Sequence, residues 1–247
     1  MEKITSRRNI KCLHVKNLGK SKEYRDEHKE FICDGRKLLE EAVKSIIHIT
    51  NVFTMAEINI KLPKETPVYI IDESIMDTLS PLKSSQDILF TCKMPDNNKH
   101  DLTTGIHILL DNVQDPGNVG TIIRSADSFG IDSVLLTDDC ADLYNPKTIR
   151  ATMGAIFRQK VTTININDLK VSGVRIVGTD SKSDDCVDIK KAVLKNTVVI
   201  LGNEGQGLSH ELRKLCDEMI TIPLSPGSES LNVAIAASII MWEAKGR

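Results

Sequence analysis

The stretch Ile220-Thr221-Ile222-Pro223-Leu224-Ser225-Pro226-Gly227-Ser228-Glu229-Ser230-Leu231-Asn232, continued by Val233-Ala234-Ile235-Ala236-Ala237-Ser238-Ile239-Ile240-Met241-Trp242, is the unit around which the chain is organised. Its first residues alternate apolar and polar, and Pro223 ends the run, which predicts a short buried strand. Pro226 and Gly227 then break regular structure. Ser228, Ser230 and Asn232 are of the types that cap helices. The segment from Val233 is apolar nearly all round, which predicts a helix buried on most faces. At about ten residues it is too short for a bilayer, which needs roughly 20. A polar, Gly-containing loop is therefore held between two buried elements.

Working outward, residues 105–247 alternate strand and helix patterns, the signature of a parallel sheet covered by helices. Strands are expected at 106–110, 133–137, 157–161, 175–179, 198–201 and 219–222, and helices at 119–129, 146–153, 166–171, 188–194, 210–217 and 231–244. Residues 1–93 read as a smaller α/β domain. In it, strands are expected at 31–35, 46–49, 67–71 and 87–92, and helices at 36–45, 55–61 and 72–79. The polar segment from Met94 to residue 104, with Pro95 at its head and no periodicity, reads as a linker.

Composition sets bounds. The 247 residues allow one large domain or two small ones. A formal charge of −2 argues for no anionic partner by itself, but residues 1–37 carry eleven Lys and Arg against six acids. Such a local excess is either a solvated surface or a phosphate-binding face. The six cysteines are scattered, with no C-x-x-C pair and no histidine at ligand spacing, so no metal site is expected. They read as reduced thiols of a cytoplasmic protein. No apolar signal core begins the chain, and no run is long enough to predict a membrane span.

Three loops at expected strand ends hold the residues that can carry chemistry, and ligands of open α/β sheets bind there. The first runs from Asp111 through Gly117-Asn118-Val119-Gly120-Thr121-Ile122-Ile123-Arg124. Arg124 is either a functional cation or a partly exposed helix arginine paired with Asp127. The second is Leu201-Gly202-Asn203-Glu204-Gly205-Gln206-Gly207-Leu208-Ser209, either a ligand loop or a tight turn capped by Ser209. The third is the stretch quoted first. No P-loop and no Rossmann G-x-G-x-x-G is present.

Taken together, Asn-Val-Gly-Thr-Ile-Ile-Arg (118–124), Gly-Asn-Glu-Gly-Gln-Gly-Leu (202–208) and Ser-Leu-Asn-Val-Ala (230–234) resemble the SpoU (TrmH-like) branch of the SPOUT RNA methyltransferases. The similarity covers roughly residues 105–245. Tyr24-Arg25 and Phe31-Ile32-Cys33-Asp34-Gly35-Arg36-Lys37 are similar, more loosely, to the substrate-binding domain that often precedes it. Cys33-Asp34-Gly35 stands where relatives commonly have Val-Glu-Gly.

The resemblance implies an α/β fold whose C-terminal sheet contains a deep trefoil knot, an exception to the unknotted rule. It implies S-adenosylmethionine as cofactor, held by Thr179, Leu201, Gly202, Asn203, Gly205, Ile222, Leu224, Leu231 and Asn232. Asn118, Arg124, Glu204, Ser230 and Asn232 are the implied catalytic set, and no metal is involved. It also implies a homodimer. The implied reaction is 2′-O-methylation of ribose in structured RNA, with 23S rRNA favoured over tRNA. A non-catalytic RNA-binding protein that kept the fold is the alternative. A guanidinium with a pKa above about 12 makes a poor base, so Arg124 is expected to clamp phosphate and stabilise the developing alkoxide. Glu204 would orient Arg124 or the ribose, and the neutral side chains would shape the site.

Overall fold

The computed structural model describes residues 1–81, 86–96, 101–171, 173–181, 185–203 and 205–246. It divides into two compact units that are not consecutive in the chain: Met1–Asp96 with Asp142–Arg158, and the remaining described residues.

The first unit contains β1 (Glu2–Lys3), α1 (Ile10–Lys20), α2 (Lys22–His28), β2 (Glu30–Asp34), α3 (Arg36–Lys44), β3 (Ile49–Thr54), β4 (Val68–Ile70), α4 (Glu73–Leu79) and β5 (Ile88–Lys93). Its sheet has the order β1-β4-β3-β5-β2, with β5 antiparallel to both neighbours. Strand pleating sends alternate residues to opposite faces, and β2 shows the result. Phe31 and Cys33 join one apolar cluster with Leu39 of α3, while Ile32 joins the other with Val15 of α1 and Met76 of α4.

The second unit begins with β6 (Ile106–Leu110), α5 (Pro116–Phe129) and β7 (Ser133–Leu136). The chain then contributes α6 (Pro146–Thr152) and a 3₁₀ turn at Ala155–Phe157 to the first unit, where Ile149, Ile156 and Phe157 complete the α3 cluster. It continues with β8 (Val161–Thr163), α7 (Ile166–Val171), β9 (Arg175–Thr179), β10 (Val187–Asp188), β11 (Thr197–Leu201), α8 (His210–Arg213), β12 (Glu218–Thr221) and α9 (Val233–Lys245). The seven strands are all parallel in the order β10-β12-β9-β11-β6-β7-β8. The central strands β6, β7 and β11 are buried at every residue, as expected of a sheet covered on both faces. No helix among the described residues is long and apolar enough to cross a membrane.

Several expected elements differ. Residues 55–61 form no helix, because Ile58, Ile60 and Leu62 alternate by two and pack against the α3 cluster. The strand expected at 46–49 begins only at Ile49, leaving Ile46 fully exposed. Phe157 lies in a 3₁₀ turn facing Phe90, so that strand starts at Val161. Residues 188–194 make the end of β10 and a short 3₁₀ turn rather than a helix. The basic N-terminal segment is largely helical, with Asn9 capping α1 and Ser21 capping α2. Finally, α9 buries Val233, Ala234, Ala237, Ile240 and Met241, but Ile235 and Trp242 are more than half exposed on its other side.

The Arg25 guanidinium, 3% exposed, donates to Leu18 O at 2.5 Å and pairs with Asp142. Removing one partner of a buried pair leaves an uncompensated charge. Asp142→Ala should therefore destabilise the protein by about 3 kcal/mol, read as a lowered denaturant midpoint. A change within about 0.5 kcal/mol, the ordinary surface range, would show that the pair is dispensable.

Candidate functional site

The sheet of the second unit reverses its winding at β6, whose neighbours are β11 on one side and β7 on the other. Loops leaving the carboxyl ends of strands next to such a switch point form the ligand crevice of open α/β sheets. Here those loops are tied together. Asp111 N donates to Leu201 O at 2.9 Å, and Ser209 N donates to the Asp111 carboxylate at 2.6 Å. The Asn203 amide donates to Asn112 O at 2.9 Å, while Asn112 takes the left-handed conformation (φ 55°) that Asn tolerates best after Gly. Asp111 and Asn112 were missed as site-shaping residues in the sequence. Their signal was faint, an acid and an Asn directly after a mostly apolar strand.

The loop after β11 is a small closed turn. Asn203 N donates to Gly207 O at 3.1 Å and Gly207 N returns to Asn203 O at 2.9 Å. The Asn203 side chain also accepts from Gly205 N at 2.9 Å. Gly202 sits against this turn so closely that a Cβ would land on the Gly207 carbonyl and 2.5 Å from Leu208 N.

A cavity of about 480 Å³ opens beside this turn, walled by the ends of β9, β11 and β12 and the start of α9. Thr179, Leu201, Gly202, Asn203, Gly205, Ile222, Leu224 and Leu231 all line it, as does Ser230. The Thr179 hydroxyl is engaged with Ile200 O at 2.9 Å, so it joins β9 to β11 rather than offering its proton to the cavity. Asp180 and Arg213, neither expected from sequence, also line the cavity and pair at 2.7 Å. The Asp180 carboxylate beside it raises the Arg213 guanidinium further above its ordinary range. Behind them the Cys216 thiol is pushed up to about 11 by burial.

Asn232 is not in that wall. It caps α9 through Ala234 N at 2.9 Å, and its amide donates to the Asn118 side chain at 3.1 Å. Asp115 in turn caps α5 by accepting from Asn118 N at 2.9 Å. The two helix starts are thus joined, and Asn118 and Asn232 share a groove of about 430 Å³ with Thr121, Ile235, Ile239 and Trp242. Arg124 is exposed on α5 and lines neither hollow, but it lies three residues beyond Thr121, on the same helix face. Glu204 lies outside the described residues.

Comparison with known proteins agrees over both units. Residues 105–242 match the SpoU rRNA Methylase family, and residues 9–89 match the MRM3-like substrate binding domain. The chain is 35% identical to the 23S rRNA (guanosine(2553)-2'-O)-methyltransferase RlmP of Bacillus subtilis, with all of both chains covered. Among solved structures it is similar to an AdoMet-bound rRNA methyltransferase from Sinorhizobium meliloti, with a TM-score of 0.86, 27% identity and 99% and 97% of the two chains covered. The AdoMet complex of the SpoU methyltransferase AviRb from Streptomyces viridochromogenes superposes with a TM-score of 0.84 at 25% identity, covering 97% and 98%.

Proposed function

The chain belongs to the SpoU rRNA methylase family, and on that premise we propose that it methylates a ribose 2′-hydroxyl of 23S rRNA using S-adenosylmethionine. The observation that carries the proposal is the cavity at the strand ends, next to the joined starts of α5 and α9. Its volume falls within the roughly 300–1,000 Å³ of small-molecule sites. The residues fit the cofactor. Leu201, Ile222, Leu224 and Leu231 offer apolar walls for a purine, and Gly202 leaves backbone uncovered where a side chain would not fit. Those residues, with Thr179, Asn203 and Gly205 of the same wall, are the proposed cofactor set, to which Asn232 is added from outside the wall as the cap of α9.

When bound, S-adenosylmethionine supplies a methyl group on a sulfonium. The chain must hold the ribose in line, accept its hydroxyl proton and stabilise the oxygen left behind. Arg124 suits the last task and the grip on the adjoining phosphate, since its guanidinium is a planar fork of donors that stays charged. Asn118 and Asn232, linked by their amides, act as neutral positioning groups. Ser230 and Glu204 complete the proposed catalytic set, Glu204 as the group that orients Arg124 or the ribose.

Residues 1–93 are proposed to bind structured RNA, with 142–158 completing their core; 94–104 is the linker and 105–247 the methyltransferase part. The matching substrate-binding family and the basic excess of residues 1–37 support that division. We propose also that the second unit is knotted as in its family. The last strand, β12, lies between β9 and β10 rather than at an edge, which supports a threaded C-terminus.

The proposed assembly is a cytoplasmic homodimer formed through the exposed side of α9. Ile235 and Trp242, 53% and 65% exposed, would be its anchors, with Trp242 edge-on to Phe129. Ile235→Glu with Trp242→Glu should halve the mass seen in analytical ultracentrifugation. A double variant that stays dimeric would remove α9 from the interface.

The reaction is tested by incubating the full chain with methyl-tritiated S-adenosylmethionine and unmodified 23S rRNA. A 2′-O-methyl group blocks alkaline cleavage, so label is expected in alkali-stable dinucleotides. Label recovered in mononucleotides would mean base methylation and contradict the proposal.

A further inference from the structure

Among the described residues that line the cavity, Arg213 is the one cation. It ends the short helix α8, where Leu212 is buried and anchors the turn, while the Arg213 side chain stays 43% exposed. The turn that carries it packs closely against β9. Gly178 at the end of β9 lets Leu208, Cys216 and Met219 close in, each less than 3 Å from where a Cβ would stand. This brings the start and end of the α8 turn against the strand that carries Asp180. One guanidinium nitrogen is held by the Asp180 carboxylate at 2.7 Å. A guanidinium has five N–H donors, so one carboxylate leaves others for a second acceptor.

S-adenosylmethionine is an unusual ligand electrostatically. It carries a sulfonium, an α-ammonium and an α-carboxylate. A lone cation in the wall would favour the carboxylate but repel the sulfonium. An arginine already paired with an acid keeps directional donors while the pair stays near neutral. The apolar part of the cavity suits the purine, and the Asp180–Arg213 pair supplies a polar end. We propose that Arg213 takes the α-carboxylate of S-adenosylmethionine and that Asp180 is a positioning residue that holds the fork in place. This rests on the reading of the cavity as the cofactor site.

The chemistry can be removed from either side. Decarboxylated S-adenosylmethionine lacks only the carboxylate, and Arg213→Ala lacks only its proposed partner. Calorimetry on the full chain should give wild-type affinity about 10- to 100-fold higher for S-adenosylmethionine than for the decarboxylated form, the range of a charge-assisted hydrogen bond. Arg213→Ala should bring that ratio close to one by weakening only the intact cofactor. Arg213→Lys should keep part of the ratio, because it retains charge without the fork. Asp180→Asn leaves Arg213 without its paired acid in the wall and should weaken the decarboxylated form, which keeps the sulfonium and the ammonium, more than the intact cofactor. The inference is overturned if the wild type does not distinguish the two ligands, or if Arg213→Ala weakens both equally. If wild type binds neither ligand, the reading of the cavity fails, and the inference with it. Melting curves confirm that each variant is folded, and Arg213→Gln serves in place of alanine if that protein is not.

Discussion

Arg124→Ala is expected to lower the rate of methyl transfer by about two to three orders of magnitude, the loss typical of a donor aimed at developing charge. Cofactor affinity and melting temperature should stay near wild type. The expectation follows from its place in the structure. Arg124 is exposed on α5, outside the cavity wall, so removing it should not disturb cofactor contacts. The buried side of the helix belongs to Val119, Ile122, Ile123 and Ala126, so alanine at 124 opens no cavity in the core. Its exposure outside the lining of both hollows fits a group that meets the RNA phosphate rather than the cofactor. Arg124→Lys should recover little, because a point charge cannot reproduce two parallel hydrogen bonds. If Arg124→Ala instead melts earlier and turns over normally, the residue is structural, paired on the helix surface as the other sequence reading allows.

Gly202→Ala is expected to lower cofactor affinity by more than tenfold. Here the obstacle is backbone, not a side chain that can turn away. The added Cβ would strike the Gly207 carbonyl and Leu208 N, which close the turn with Asn203. The turn must open or shift, and its residues Asn203, Gly205 and Gly207 are cavity wall. Strand β11 ends one residue earlier and is buried throughout, so the sheet itself should survive. Calorimetry gives the affinity, and circular dichroism checks that the fold is retained. Wild-type affinity in this variant would mean that the turn after β11 does not form the cofactor wall.

Much of this was legible in the sequence because buried parallel strands announce themselves. Val198–Leu201 is apolar without interruption and Ile106–Leu110 is broken only by His107, and both are observed as central strands. The three loops were found because Gly, Asn and Ser cluster directly after such runs. Local patterns were less reliable where apolar spacing fitted two periods. The helix expected at 55–61 includes Ile58 and Ile60, although these two and Leu62 alternate by two and pack against one apolar cluster. Long-range pairings left no local trace. Nothing near Pro146–Thr152 indicates that its apolar side completes the core around Phe31 and Leu39, where burial pushes the neighbouring Tyr144 phenol up to about 12. The Asp180–Arg213 pair was equally hidden, since 33 residues separate its members in the chain. Asn118 and Asn232, 114 residues apart, were associated only through family resemblance, and the hydrogen bond between them supplies the physical link.

The most direct test of the whole account is a map of ribose methylation in 23S rRNA from cells with the protein, without it, and with Arg124→Ala in its place. The account predicts at least one 23S position at which the 2′-O-methyl signal is present with wild type and absent in both other strains. An unchanged 23S ribose-methylation map on loss of the protein would contradict it.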